Sequence, residues 1–219
     1  MTTRAIDPWR LVIKDAKHDI YQYLTDNSTD VNRRITMENN LSILQVAISE
    51  QKRDIYNMIM KHPQIEVDKQ DLFGKTALHY ACANGDIQAC VDLIKNGADI
   101  NKANIAGETP FMKACYFVEK DLLEWMIENL ANLDVTTLDC MGRNSLDILK
   151  SNLNLRDDIT MNDEKLQKIV TLIQQKMQNN APEQLPTPPN VPVQQNDEQN
   201  DNQPAQQNTG GDAMDTENV

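Results

Sequence analysis

His79 and Cys82 stand three residues apart in the run Thr76-Ala-Leu-His79-Tyr-Ala-Cys82, a spacing that places two side chains on one side of a helix. A histidine beside a thiol can act as base and nucleophile, or supply two ligands of a zinc site. No third or fourth ligand lies at a suitable spacing, and His18 and His62 are isolated and read as exposed turn residues. The glycines of the repeated part are spread at turn positions instead of forming a phosphate-cradling loop. No catalytic residue, cofactor site or metal ligand is assigned on these grounds, and the chain reads as a non-enzyme.

The elements that position His79 and Cys82 are short. In the stretch from Asp71 to Asn101, Gly74, Gly85 and Gly97 sit where the chain must reverse. Thr76 can accept from a backbone N–H two or three residues on, which predicts a capped helix start, and Leu78, Ala81 and Cys82 share one face of that helix. A second helix after Gly85 carries Ile87, Cys90, Val91 and Ile94 at three-and-four spacing and ends at Asn96-Gly97. Helices of about two turns are unstable alone in water, so the unit needs neighbours.

Internal repetition supplies them. Gly107-Glu-Thr109-Pro110-Phe111 restates Gly74-Lys-Thr76-Ala77-Leu78 33 residues later, and Asp139 to Leu146 restates Asp71 to Leu78. Upstream, Asp19-Ile-Tyr-Gln-Tyr-Leu24 and Asp54-Ile-Tyr-Asn-Met-Ile59 are near copies 35 residues apart. The apolar residue closing each unit recurs at Val31, Val67, Ile100 and Leu133, with gaps of 36, 33 and 33. Periods in this range mark a stacked solenoid of about five helical pairs.

Asp71-x-x-Gly74-x-Thr76-Ala77-Leu78-His79-x-Ala81, followed by Gly97-Ala98-Asp99-Ile100-Asn101, resembles the ankyrin repeat. The resemblance covers roughly residues 5 to 150 and implies an all-α solenoid in which His79 hydrogen-bonds the turns together. The expected units are about 5–36, 37–70, 71–103, 104–138 and 139–180, making one domain of residues 1–180. Several positions depart from the pattern. Val118 and Leu130 stand where Gly85 and Gly97 would, so both turns of the fourth unit are expected to be remodelled. Trp9 and Leu44 take the place of Leu78 in the first two units, and in the fifth Asn144 and Asp147 replace the threonine and histidine.

The chain has 219 residues and a net charge of −12. The segment after Asn162 places Leu166, Ile169, Val170, Ile173 and Met177 on one face and reads as a closing helix, with an insertion from Ser151 to Met161 looping out before it. Residues 181–219 contain no Lys, Arg or aromatic residue, seven acids, six prolines and thirteen Asn or Gln, the composition of a disordered acidic tail. That leaves residues 1–180 at −5, and the one basic cluster, Arg33-Arg34, is small. Nucleic acid and membrane surfaces are therefore disfavoured as partners. No stretch approaches the ~18 apolar residues of a membrane span, and the opening residues do not have the form of a secretory leader. Four cysteines in such a chain read as reduced thiols, with Cys82 and Cys115 in the same core slot of successive units. A monomer in the cytoplasm, with the nucleus as a further location, is expected.

The resemblance implies that another protein binds the concave face formed by turn tips and first helices. Aligning the units puts Leu72 and Phe73, Ile105 and Ala106, and Cys140 and Met141 at successive tips, with Tyr116 and Phe117 at the end of a first helix and the polar pair Glu38-Asn39 at the matching tip of the second unit. Apolar groups at tips have no core of their own to enter, so Leu72, Phe73, Ile105, Tyr116, Phe117 and Met141 are the expected partner-binding residues. The expected role is an adaptor or a regulatory inhibitor; the alternative is a permanent structural subunit of a large assembly such as a cytoskeletal complex. Leu185-Pro-Thr187-Pro-Pro-Asn-Val-Pro192 reads as a spacer, though it could serve as a ligand or phosphorylation site. Asn32 and Asn101 lie in settings that resemble hydroxylated asparagines of the family, and the same residues also simply make the turn.

Overall fold

The computed structural model describes residues 8–26, 30–34, 39–154 and 163–180, all within one compact unit, Met1–Pro182. Ten helices and no strand are found among the described residues: α1 (Pro8–Ile13), α2 (Lys17–Thr25), α3 (Ile43–Ser49), α4 (Arg53–Met60), α5 (Ala77–Ala83), α6 (Ile87–Lys95), α7 (Pro110–Phe117), α8 (Lys120–Asn129), α9 (Ser145–Asn154) and α10 (Glu164–Asn180). They form consecutive pairs. The first helices α1, α3, α5, α7 and α9 stack in one row, and in the second row α2 packs on α4, α6 on α8, and α8 on α10. The fold is an all-α solenoid.

Small residues let the first row pack tightly. Ala77, Leu78, Ala81 and Cys82 of α5 and Phe111, Ala114 and Cys115 of α7 are buried, so the two cysteines occupy equivalent core slots. In α6 the fully buried residues are Ala89, Cys90 and Leu93, whereas Ile87, Val91 and Ile94 are only half-buried. The apolar stripe expected there is rotated, because the narrow alanine-and-cysteine edge faces the first row and the bulkier isoleucines cover its flanks.

Between the helices of each of the first four pairs, one residue adopts left-handed backbone: Asp15 (φ 54°), Gln51 (φ 53°), Gly85 (φ 66°) and Val118 (φ 59°). The surrounding hydrogen bonds repeat, as in Asp86 N–H to the Ala81 carbonyl at 3.1 Å and Glu119 N–H to the Ala114 carbonyl at 3.0 Å. Val118 therefore keeps the turn that its side chain disfavours, contrary to the expected remodelling. At Leu130 the turn does change, to extended backbone with φ −106° and ψ 96° where Gly97 has φ 89°. Counting back from Asp15 by the same bonds places Trp9 in the slot of His79, one residue away from the position inferred for it. Leu44 does stand in the Leu78 slot, 1% exposed.

The helix start of unit 2 has its own device. Ser42 accepts from Gln45 N–H at 3.3 Å and Gln45 Oε1 accepts from Ser42 N–H at 2.7 Å, a capping box that satisfies two end donors. At the other end, Ser151–Asn154 extends α9 instead of looping out, and residues 155–162 lie outside the described residues. Helix α10 buries Leu166, Ile169 and Ile173 and half-buries Val170 and Met177. Its lysines meet α8, with Lys165 contacting Asp121 and Glu124 and Lys168 contacting Glu124 and Glu128. His18 is helical, on an exposed face of α2. The tail expected at 181–219 and the tip residue Glu38 lie outside the described residues. No described helix is long and apolar enough to cross a membrane.

Candidate functional site

His79 and Cys82 are both buried but are not arranged for chemistry. The Nδ1 of His79 accepts from Thr76 N–H at 3.0 Å, which leaves the proton on Nε2, and Nε2–H donates to the Glu108 carbonyl at 3.0 Å in the next unit. Burial lowers the histidine pKa to about 4, so the ring is neutral at pH 7 with both nitrogens engaged. The Cys82 thiol is pushed well above its ordinary range by burial and lies 3.8 Å from Cys90 Sγ and 3.9 Å from Met126 Sδ. A thiol held protonated in a sulfur-lined core is a poor nucleophile.

The histidine belongs to a repeated staple. Gln45 does in unit 2 what His79 does in unit 3: its Nε2 donates to the Lys75 carbonyl at 2.7 Å, and Lys75 is the residue equivalent to Glu108. In unit 4 the slot holds Met112, whose sulfur lies 3.5 Å from Thr109 N but has no proton to donate onward. Asn32 and Asn101 are staples too. Asn32 donates to the Gln64 carbonyl and accepts from Glu66 N–H, and Asn101 does the same with Asn132 and Asp134.

Finger turns project from the first row. In each, one side-chain oxygen gathers two backbone N–H groups: Asp71 Oδ1 from Phe73 and Lys75, Asn104 Oδ1 from Ala106 and Glu108, Asp139 Oδ1 from Met141 and Arg143, all at 2.8–2.9 Å. Successive tips then bond to each other, Leu72 N–H to the Asn39 carbonyl, Ile105 N–H to Phe73 and Cys140 N–H to Ala106, at 2.7–3.0 Å. Gly74 makes this approach possible, since its φ is 74° and an added Cβ would lie 2.9 Å from Ile105 N. The tips form a ladder of fixed spacing.

Every one of the six expected partner-binding residues is exposed: Leu72 59%, Phe73 40%, Ile105 73% and Met141 71% on the ladder, and Tyr116 45% and Phe117 38% at the end of α7. Phe73 and Tyr116 therefore do not disappear into neighbouring fingers. The Tyr116 and Phe117 rings meet edge to face at 5.1 Å between centroids. They line a groove of about 480 Å³ together with Lys75, His79, Tyr80, Ala83, Glu108 and Lys113. Leu72, Phe73, Ile105 and Met141 are not among its lining residues and stand at the tips.

Sequence reasoning missed the lining residues Lys75, Tyr80, Glu108 and Lys113, together with Leu138, 57% exposed just before the last finger. A signal was present. Tyr80 and Lys113, 33 residues apart, precede the buried pairs Ala81-Cys82 and Ala114-Cys115, so they fall on the opposite side of the first helices. Lys113 pairs with Glu108 at 2.5 Å, and Asn104 donates to the same carboxylate at 2.8 Å. Burial works to raise the Glu108 pKa, but the hydrogen bonds from Lys113 and Asn104 with the nearby lysine charges leave it below the usual value, so the carboxylate is ionised.

A family profile described as ankyrin repeats in three copies matches residues 9–104, 62–139 and 78–155, together about two thirds of the chain. A putative ankyrin repeat protein of fowlpox virus is 29% identical over 119 residues, 53% of this chain and 35% of the relative. A BTB/POZ domain and ankyrin repeat-containing protein of Oryza sativa subsp. japonica is 31% identical over 114 residues, 52% of this chain and 18% of the relative. A human ankyrin repeat domain-containing protein is 27% identical over 104 residues, 45% of this chain and 13% of the relative. The matched segment spans about a third or less of these relatives' own length.

Proposed function

For a chain that belongs to the ankyrin-repeat family, a protein–protein interaction module, we propose a non-enzymatic adaptor or regulatory inhibitor that engages a partner protein through its concave face of finger tips and first helices. The observation that carries this reading is the row of exposed apolar side chains, with Leu72, Phe73, Ile105 and Met141 held on a hydrogen-bonded ladder of finger tips and Tyr116 and Phe117 at the end of α7. Exposed aromatics on a stiff scaffold lose little freedom on association and are typical interface anchors. Ankyrin repeats are typically non-catalytic, and the engagement of both His79 nitrogens supports a non-enzyme here. The acidic balance supports a protein partner over nucleic acid or a membrane surface, with the chain acting as a monomer in the cytoplasm or nucleus.

The double variant Phe73→Ala with Tyr116→Ala tests this. Loss of partners in an affinity pull-down with an unchanged melting midpoint is expected. Retained partners with a normal melt would remove this face from consideration, and a collapsed melt would mean that the rings support the fold.

A further inference from the structure

The groove between units 3 and 4 contains one cation without an anion. Lys113 is matched by Glu108 at 2.5 Å, whereas Lys75 makes no ion pair among the described residues. Its Nζ stands 5.6 Å from the Phe73 ring centre and 5.8 Å from that of Tyr80. Glu108 senses Lys75 only beyond ion-pair distance, its carboxylate being held by Lys113 and Asn104. The other nearby acid, Asp71, is buried, with Oδ1 on two backbone N–H groups of its own turn and Oδ2 accepting from the Tyr80 hydroxyl at 2.6 Å. An ammonium over aromatic faces is partly desolvated, and a carboxylate arriving beside it would meet a charge that no protein group has neutralised.

Resting on the reading that this face binds a protein, we propose that the groove takes a short segment of the partner carrying an Asp or Glu next to an aromatic or branched aliphatic residue. The carboxylate pairs with Lys75 Nζ, and the apolar side chain lies against Tyr116 and Phe117, whose edge-to-face contact presents a fixed apolar wall. Charge complementarity selects the acid, because the groove is lined by two cations, Lys75 and Lys113, against the single carboxylate of Glu108. The groove is of the size that takes compact ligand groups, about 480 Å³.

The test pans a phage-displayed library of random dodecapeptides on the full chain, and synthetic peptides from the selected clones are then titrated by fluorescence polarisation. Clones enriched in an acidic residue adjacent to an aromatic or aliphatic one are expected. Lys75→Met, which keeps the apolar stem against the rings, should weaken these peptides about tenfold or more, and Lys75→Arg should stay within about threefold. Lys75→Gln serves as a second neutral variant, and all three are checked for an unchanged melt. Clones without acidic enrichment, no clones at all, or full binding by Lys75→Met and Lys75→Gln would overturn the proposal. If Phe73→Ala with Tyr116→Ala abolishes partner capture while Lys75→Met does not, the acid pairing falls and the face stands. If neither set of substitutions changes binding, both fall.

Discussion

Units 3 and 4 share one backbone and solve it with different chemistry. In unit 3 the inter-helix turn is Gly85, at no steric cost, and the helix start is stapled to the next unit by His79. In unit 4 the same left-handed turn is forced on Val118, and Met112 fills the staple's place without its second bond. The difference teaches that the turn is imposed by packing. Val118 is 5% exposed, so burying its side chain and docking α7 against α8 offset a conformation that costs a β-branched residue about 1–2 kcal/mol. Of the four residues in this turn only that of unit 4 is β-branched, and the first helix of unit 4 ends with the two aromatics of the groove.

The largest effect that separates shared core from differing chemistry comes from the core itself. Leu78 is fully buried, so Leu78→Asp places an unpaired charge between α5 and its neighbours. A loss of more than about 4 kcal/mol is expected, visible as a collapse of the thermal midpoint by circular dichroism. An unchanged midpoint would mean that the repeat register is wrong.

The staple comes next. His79→Ala leaves Thr76 N–H without a partner and removes one of the two donors of the Glu108 carbonyl, which still accepts from Asn104 N–H, and should cost about 2–3 kcal/mol, whereas His79→Gln should recover most of it, because Gln45 already performs both bonds in unit 2. A pH signature distinguishes the histidine. Its pKa is about 4 in the folded protein and 6.5 in the unfolded chain, so between those values the unfolded state binds more protons. The contribution is fully present above about pH 6.5 and is lost as pH falls toward 4, by about 3 kcal/mol in total. Urea melts from pH 7.5 to 4.5 should show this slope in the native protein and a flatter one in His79→Gln. Equal slopes would contradict the buried neutral ring.

Much of this was legible in the sequence, and unevenly so. Gly74, Gly85 and Thr76 announced unit 3 because their roles are local and depend on backbone freedom and a nearby N–H. All six tip and groove residues named from the repeat alignment are exposed: Leu72, Phe73, Ile105 and Met141 lie just before finger glycines, where there is nowhere to be buried, and Tyr116 and Phe117 end α7. What was missed depends on neighbours. Ser42-Ile-Leu-Gln45 is a plain capping box, overlooked because it differs from Thr76-Ala-Leu-His79 in type while matching it in function. Trp9 fell one residue out of register because apolar spacing alone cannot locate the turn at Asp15, where no glycine marks the reversal. The rotation of α6 and the unmatched charge of Lys75 are properties of the assembled rows, which no single unit contains.

Exchanging the turn residues sharpens the comparison at lower energies. Gly85→Val should cost about 2 kcal/mol, because it pays the left-handed penalty without a pocket built for it. A Cβ at that position would lie 2.3 Å from Glu119 Oε2, and the flexible end of that side chain must swing away. A cost near zero would show that α5 and α6 can absorb the side chain as α7 and α8 do.

The smallest effect is the most diagnostic. At an ordinary buried valine, truncation to glycine is worse than truncation to alanine, because glycine loses the same methyl groups and adds backbone entropy. At Val118 the order should invert. Val118→Ala removes the buried methyl groups but keeps a Cβ on a backbone with φ 59°, so the strain remains while its compensation is gone. Val118→Gly removes slightly more apolar area and also removes the strain, and glycine is the residue that Gly85 supplies at the same place. The glycine variant should therefore be the more stable of the two by about 1 kcal/mol, a difference of about 2–4 °C in thermal midpoint for a domain of this size. If alanine proves the milder change, the left-handed backbone at Val118 is not strained, and the contrast between units 3 and 4 reduces to the missing hydrogen bond of Met112.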